Sequence, residues 1–181
     1  MPLLLIGSAL MVGHWVTLPV PERGNPVLQS ALASLRGEEA RWQLAHFLYA
    51  QCGCSHRVID YLMTRPTPEG AVDHVVLVGE HEALELKIRE RGIGLTKVSR
   101  DDLARRFDVQ SAPLLAITDP QAQVRYVGGY TARKQGLDYR DLSLLEALRH
   151  QHRMEGLPLY GCGVSKALQA YLDPLGVKYE R

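Results

Sequence analysis

A run of aromatic and apolar residues, Trp42 to Ala50, ends in Gln51-Cys52-Gly53-Cys54 and passes straight into a stretch of different period. In that stretch Val58, Ile59, Leu62 and Met63 recur at helical spacing, and Pro66 and Pro68 close it. The pattern predicts a strand over Trp42–Ala50, a cysteine loop, and a helix over Ser55–Arg65. At a helix start, amide N–H groups and the positive end of the helix dipole favour thiolate over thiol. The thiolate is the form that attacks disulfides and binds soft metals. The pair therefore points to thiol redox chemistry or to thiophilic metal binding.

The elements that follow keep alternating. Val72–Val78 is a β-branched run bounded by Gly70 and Gly79, suited to a buried strand. His81–Arg91 reads as a charged helix with Leu84 and Ile88 inward, closed by Gly92, and Leu95–Val98 as a short strand. Ser99 with Asp102 three residues on resembles a capping box for a helix carrying Leu103 and Phe107. Two strands, Pro113–Thr118 and Gln123–Val127, are joined by the turn Asp119-Pro120-Gln121-Ala122. Gly128 and Gly129 follow, then a hydrophilic surface loop over Thr131–Arg140 and a helix over Asp141–His150. Before the cysteines, Pro26–Ala40 predicts a helix with Leu28, Leu32 and Leu35 on one face. Strand–helix alternation followed by a hairpin implies an α/β fold, a mixed sheet with helices on both faces.

At 181 residues the chain fits one domain with an appendage. At that size about 70% of the unfolded surface can be buried. Lys and Arg number 21 against 20 Asp and Glu, so no strong net field supports a nucleic-acid partner. Three cysteines are too few for a disulfide-stapled miniprotein, and one is left over if two pair. Met1 to Val20 contains no Asp, Glu, Lys or Arg, about the length needed to cross a hydrocarbon core. This predicts a signal segment or membrane anchor over residues 1–20, with the domain exported to the periplasm or another extracytoplasmic space. A charged n-region is missing from it, and a buried core helix is the alternative.

From Trp42 to His150 the chain resembles the thioredoxin superfamily. A strand leads to the cysteine loop and helix, and Leu103-Ala104-Arg105-Arg106-Phe107-Asp108-Val109-Gln110-Ser111-Ala112-Pro113 is similar to the family's helix, loop and cis-proline segment. The strand–turn–strand Leu114–Val127 and the Gly-Gly pair complete the order. An extra strand–helix–strand unit, Val75–Val98, is similar to exported, membrane-tethered thioredoxin-like proteins and peroxiredoxin relatives. The domain plan is then 1–20 leader or anchor, 21–41 linker and helix, 42–152 thioredoxin-like domain, and 153–181 C-terminal extension. The resemblance implies a thiol–disulfide oxidoreductase acting on protein thiols or disulfides. Cys52 is implied as the exposed attacking thiol and Cys54 as its resolving partner. Pro113 is implied to be cis, with the backbone around Ala112 pairing with a substrate chain and Gly128 and Gly129 letting that substrate approach.

The chain departs from the family in having one residue between its cysteines, and Gln51 where Trp often stands. A disulfide between residues i and i+2 lies near the upper range of Cα separations and is torsionally constrained. Such strain raises the potential and favours an oxidant or isomerase over a strong reductant. Cys162, in Tyr160-Gly161-Cys162-Gly163-Val164-Ser165, lies outside the resemblance. It is a candidate third redox thiol, a candidate third metal ligand, or a buried small hydrophobe. Soft sulfur selects Cu(I), so the competing class is a Cu(I) carrier or assembly factor using Cys52 and Cys54, with Cys162 or His56. The oxidoreductase reading needs no cofactor. A third class is a non-catalytic thioredoxin-like adaptor. His46 and His74 read as core or sheet-face residues, and His150 and His152 as a solvated helix end.

Overall fold

Strand β1 (Trp42–Tyr49) organises the molecule, because both of its faces are covered and all but its first residue is buried. The computed structural model describes residues 17–37, 39–177 and 179. β1 pairs in parallel with β2 (Ala71–Val78), which pairs in parallel with β3 (Gly94–Val98). On its other side β1 pairs antiparallel with β5 (Leu114–Thr118), which pairs antiparallel with β6 (Val124–Gly128). The result is a five-stranded mixed sheet in the order β3-β2-β1-β5-β6. Short β4 (Ser111–Ala112) and β7 (Cys162–Gly163) form a separate two-stranded pair.

The pleat sorts the apolar residues into two layers. Ala45, Phe47 and Tyr49 of β1, Val76 and Val78 of β2, and Leu114 and Ala116 of β5 line one face. Leu28 and Leu32 of α1 (Pro26–Ser34) and Leu103 and Phe107 of α4 (Arg100–Phe107) pack on them. Leu44 and Leu48, Val75 and Leu77, and Leu115 and Ile117 line the other face. There they meet α2 (Gly53–Thr64), α3 (Glu82–Glu90) and α5 (Asp141–Arg149). Parallel strands joined by helices on one side of a sheet produce this layering. The arrangement is an α/β mixed sheet flanked by helices, consistent with the thioredoxin-like fold that the resemblance implies.

Several predicted boundaries shift for local reasons. Helix α1 starts at Pro26, with Asn25 Oδ1 accepting from the amides of Val27 at 2.8 Å and Leu28 at 3.2 Å. It ends at Ser34 rather than near Ala40, where Arg36 leaves the helix to donate to the carbonyls of Asp119 at 2.7 Å and Pro120 at 3.1 Å. Helix α2 begins two residues earlier than the apolar period indicates, with Cys52 as its N-cap residue. The Ser99–Asp102 cap forms, the Asp102 amide donating to Ser99 Oγ at 3.0 Å. The 131–140 loop has no regular element, yet it is not purely a surface loop. Thr131 is buried and Tyr139 stacks on Tyr61 with ring centroids 4.3 Å apart.

Most of the apolar N-terminal segment, Met1–Val16, lies outside the described residues. Its last four residues, Thr17–Val20, run extended along the domain. The Leu18 amide donates to Leu159 O at 2.9 Å, and Ser111 Oγ donates to Pro19 O at 2.7 Å. Leu18 is buried in the first core layer. Among the described residues no helix is long and apolar enough to cross a membrane.

Candidate functional site

The cysteine loop sits where β1 runs into α2. Cys52 N donates to Tyr49 O at 2.9 Å, and Ser55 Oγ accepts from Tyr49 N at 3.0 Å, so the first turn of the helix is tied to the strand end. Gly53 and Cys54 open the helix. The three cysteines are thiols. Cys54 is partly exposed and receives a hydrogen bond from Arg57 Nη2 at 3.3 Å, one helical turn on.

Cys52 is fully buried, not the exposed thiol the resemblance implied. It packs in the core layer that also holds Ala112, Leu159 and Val164, with Cys54 and Cys162 against it. Residues that sequence reasoning placed outside the domain thus complete its surroundings.

The C-terminal extension packs onto this part of the core through Leu159, Cys162 and Val164. β7 pairs antiparallel with β4, placing Ser111 opposite Gly163 and Ala112 opposite Cys162. The Ala112–Pro113 peptide is cis. Gly161 has no space for a side chain: a Cβ there would overlap the Ala112 carbonyl oxygen and lie 2.6 Å from Pro113 Cδ. Gly129 is approached in the same manner, by the Pro158 carbonyl, and its amide donates to Leu157 O at 2.9 Å. At Gly128 a Cβ would lie 2.9 Å from both Leu157 N and Leu157 O. The close approaches expected of a substrate at Ala112, Gly128 and Gly129 are therefore made here by the chain's own residues 157–163.

The extension is held from both ends. Val164 N donates to Gln110 O at 2.7 Å, and Gln169 Nε2 of α6 (Lys166–Leu172) donates to Gly163 O at 2.9 Å. Ser165 caps α6 by accepting from Leu168 N at 3.2 Å. Leu159 and Val164 are buried on either side of Cys162.

Cys52 is the sulfur that has both of the others, Cys54 and Cys162, as side-chain hydrogen-bond neighbours. The interaction with Cys162 pushes the Cys52 thiol above its ordinary value; that with Cys54 opposes this and burial adds to it. Cys54 is pushed up further, first by its interaction with Cys52 and then by burial, with Arg57 opposing both. Both shifts run opposite to the low-pKa pair expected at a helix start, and the neighbouring sulfurs and burial are their causes.

His56 is engaged with other partners. Its Nε2 meets Ala50 O at 2.6 Å, and its ring lies edge-on to His81 at 5.4 Å. Among the described residues no three His, Cys, Asp or Glu side chains are grouped to hold a metal ion. His46 and His74 lie in the sheet as expected: His46 is buried between Tyr130 Oη at 2.8 Å and Asp73 Oδ1 at 3.0 Å, and His74 meets Thr96 Oγ1 at 2.8 Å. Sequence reasoning missed Arg57, whose only signal is its position three residues after Cys54 in the helix. It also missed the destination of Cys162, for which the flanking Gly161 and Gly163 are the visible signal.

No family model matches the chain, and no curated protein does. Among solved structures, it is similar to a hypothetical protein from Sinorhizobium meliloti with TM-score 0.55 and 15% identity, over 82% of this chain and 90% of that one. An uncharacterized conserved protein from Geobacillus kaustophilus aligns with TM-score 0.54 and 16% identity, over 71% of this chain and 78% of that one. The thioredoxin domain of a thiol-disulfide oxidoreductase from Bacteroides vulgatus aligns at 17% identity and TM-score 0.38, over 48% of this chain and 68% of that one. That last likeness is too slight to bear on function. What the two broader likenesses share with this chain is the fold.

Proposed function

We propose that the protein is a thiol–disulfide oxidoreductase that exchanges disulfides with protein substrates through Cys52 and Cys54. The observation that carries this reading is the contact of the two thiols at the start of α2, with the residue before cis-Pro113 linked to Cys52 through Cys162. Cys52 is the sulfur that both neighbours reach, which suits the one that takes the mixed disulfide. Cys54, partly exposed and beside Arg57, suits the one that resolves it.

In the reducing direction the Cys52 thiolate attacks one sulfur of a substrate disulfide. The substrate S–S bond breaks, a Cys52–substrate disulfide forms, and the first substrate sulfur leaves as a thiolate that takes up a proton. Cys54 then attacks the Cys52 sulfur and releases the second substrate thiol. Two electrons pass to the substrate and the pair ends as a disulfide. The reverse sequence donates a disulfide. Pro113, the Ala112 backbone, Gly128 and Gly129 are the substrate-side elements of this reading. The uncharged sequence Met1–Val16 supports an extracytoplasmic location, tethered or released.

The test is a Cys54→Ser variant recovered from cells, resolved without reductant and probed by mass spectrometry. A mixed disulfide between Cys52 and other proteins supports the reading. Its absence, together with stoichiometric Cu(I) uptake that Cys52→Ser abolishes, would favour the metal-carrier class instead. Absence of both would leave an adaptor.

A further inference from the structure

An edge that would receive a substrate chain is already filled. We propose that residues 157–165 are an internal occupant of that edge, and that Cys162 is a disulfide-exchange partner of Cys52. The proposal rests on the oxidoreductase reading of Cys52 and Cys54 and adds a third sulfur to it.

Three independent features place Cys162 in the position of a substrate sulfur. Its backbone pairs with Ala112, immediately before the cis bond to Pro113. Glycines on both chains allow the approach: Gly161 against Ala112 and Pro113, and Gly128 and Gly129 against Leu157 and Pro158. The Cys162 sulfur is a hydrogen-bond neighbour of Cys52. Cys162 is also held rather than loosely tethered, since Leu159 and Val164 are buried and Val164 N is bonded to Gln110 O at 2.7 Å. A nucleophile oriented this way reacts as an intramolecular group with a large effective concentration.

The exchange step balances without any co-reactant. Starting from a Cys52–Cys54 disulfide, the Cys162 thiolate attacks the Cys52 sulfur. The Cys52–Cys54 bond breaks, a Cys52–Cys162 bond forms, and Cys54 leaves as a thiolate that takes the proton Cys162 gave up. No electrons enter or leave the chain. The two-electron oxidation thus has two resting places, and a substrate bound for Cys52 competes with the chain's own segment.

The experiment uses the full chain carrying Cys54→Ser, treated with glutathione disulfide and read by intact mass and thiol counting. The expected product is a monomer that has lost two hydrogens, carries no glutathione and retains no alkylatable thiol. Tryptic peptides 42–57 and 154–166 should then be joined. A stable glutathione adduct on Cys52 with Cys162 still alkylatable overturns the exchange role and leaves the oxidoreductase reading intact. If neither this variant nor the unsubstituted chain can be oxidised at Cys52, both fall together.

A second variant, Gly161→Val in the Cys54→Ser background, separates pairing from mere proximity. The valine side chain pushes β7 from β4, and the rate of Cys52–Cys162 closure should drop by about tenfold or more. An unchanged rate in a variant with unchanged far-ultraviolet dichroism would overturn the role of the β4–β7 pairing.

Discussion

Cys162 lies directly opposite Ala112 in the β4–β7 pair, and its side chain is a hydrogen-bond neighbour of Cys52. One residue of the C-terminal extension thereby touches both halves of the site, the peptide before Pro113 and the buried thiol at the start of α2.

Removing the Cys162 sulfur should make Cys52 easier to ionise. The bond to Cys162 is the foremost influence holding the Cys52 proton, so Cys162→Ala is expected to move the alkylation midpoint of Cys52 to lower pH. Iodoacetamide rates against pH, followed on the 42–57 peptide in a Cys54→Ser background, measure it. A midpoint that stays put or rises would mean that burial, not Cys162, holds the proton.

Arg57 is the cation beside Cys54 and favours its thiolate. In Arg57→Ala the resolving step should slow by up to about tenfold, the equivalent of one pKa unit. Stability should change by less than about 1 kcal/mol, because the side chain is exposed. Stopped-flow decay of a Cys52 mixed disulfide is the readout, and an unaltered decay rate would remove Arg57 from the mechanism.

A buried charge cluster under α2 and α5 should dominate stability. Arg65 Nη2 lies 2.6 Å from Asp73 Oδ1, and its Nε lies 2.9 Å from Asp141 Oδ2, a close charge contact not aligned as a hydrogen bond. Tyr61 Oη donates to Asp141 Oδ1 at 2.7 Å. Arg65→Ala leaves two buried carboxylates without their cation and should cost about 3–5 kcal/mol. Urea unfolding measures this; a loss below about 1 kcal/mol would show that water enters and screens the cluster.

The same cluster sets an acid limit. Burial alone would raise the pKa of Asp73, but the hydrogen bond and charge of His46, together with Arg65, outweigh it and hold the carboxyl below its ordinary range. A depressed folded-state pKa means that the unfolded chain binds the proton first. The stabilisation is therefore present above about pH 4, the unfolded value, and is lost as pH falls through the lower folded value. Asp73→Asn should flatten that part of the stability–pH curve. A curve as steep as that of the unsubstituted chain would assign the acid loss to other groups.

Gly129→Ala should destabilise by about 1–3 kcal/mol, since a methyl there overlaps the Pro158 carbonyl and must move the 157–159 segment or the β6 end. Thermal unfolding checks the size of the effect. An unperturbed melting temperature would show that the segment yields freely.

Local periodicity made most of the architecture legible. The continuous apolar runs of β1 and β2 mark strands covered on both faces, and the spacing of Val58, Ile59 and Leu62 marks a helix with one buried face. Ser99 and the Asp119–Ala122 turn act within a few residues of themselves, so their signals survive in isolation. The end of α1 was not legible, because Arg36 leaves it to bond carbonyls beyond β5.

For the cysteines, the sequence by itself determined that Cys52 and Cys54 stand between a strand and a helix, ahead of a proline segment. Their ionisation and exposure were decided by tertiary structure. A helix start favours thiolate only while nothing stronger acts on the sulfur. Here distant residues bring Cys162 beside Cys52 and add Leu159 and Val164 to the buried layer that holds it, and the sulfur neighbour and burial both push the Cys52 thiol up. Pairing between β4 and β7 involves only two residues on each side and has no period to read. The close approach beside it needs Gly161 against Ala112, as that of residues 157–159 needs Gly128 and Gly129, and an absent side chain becomes meaningful only once the opposing backbone is in place.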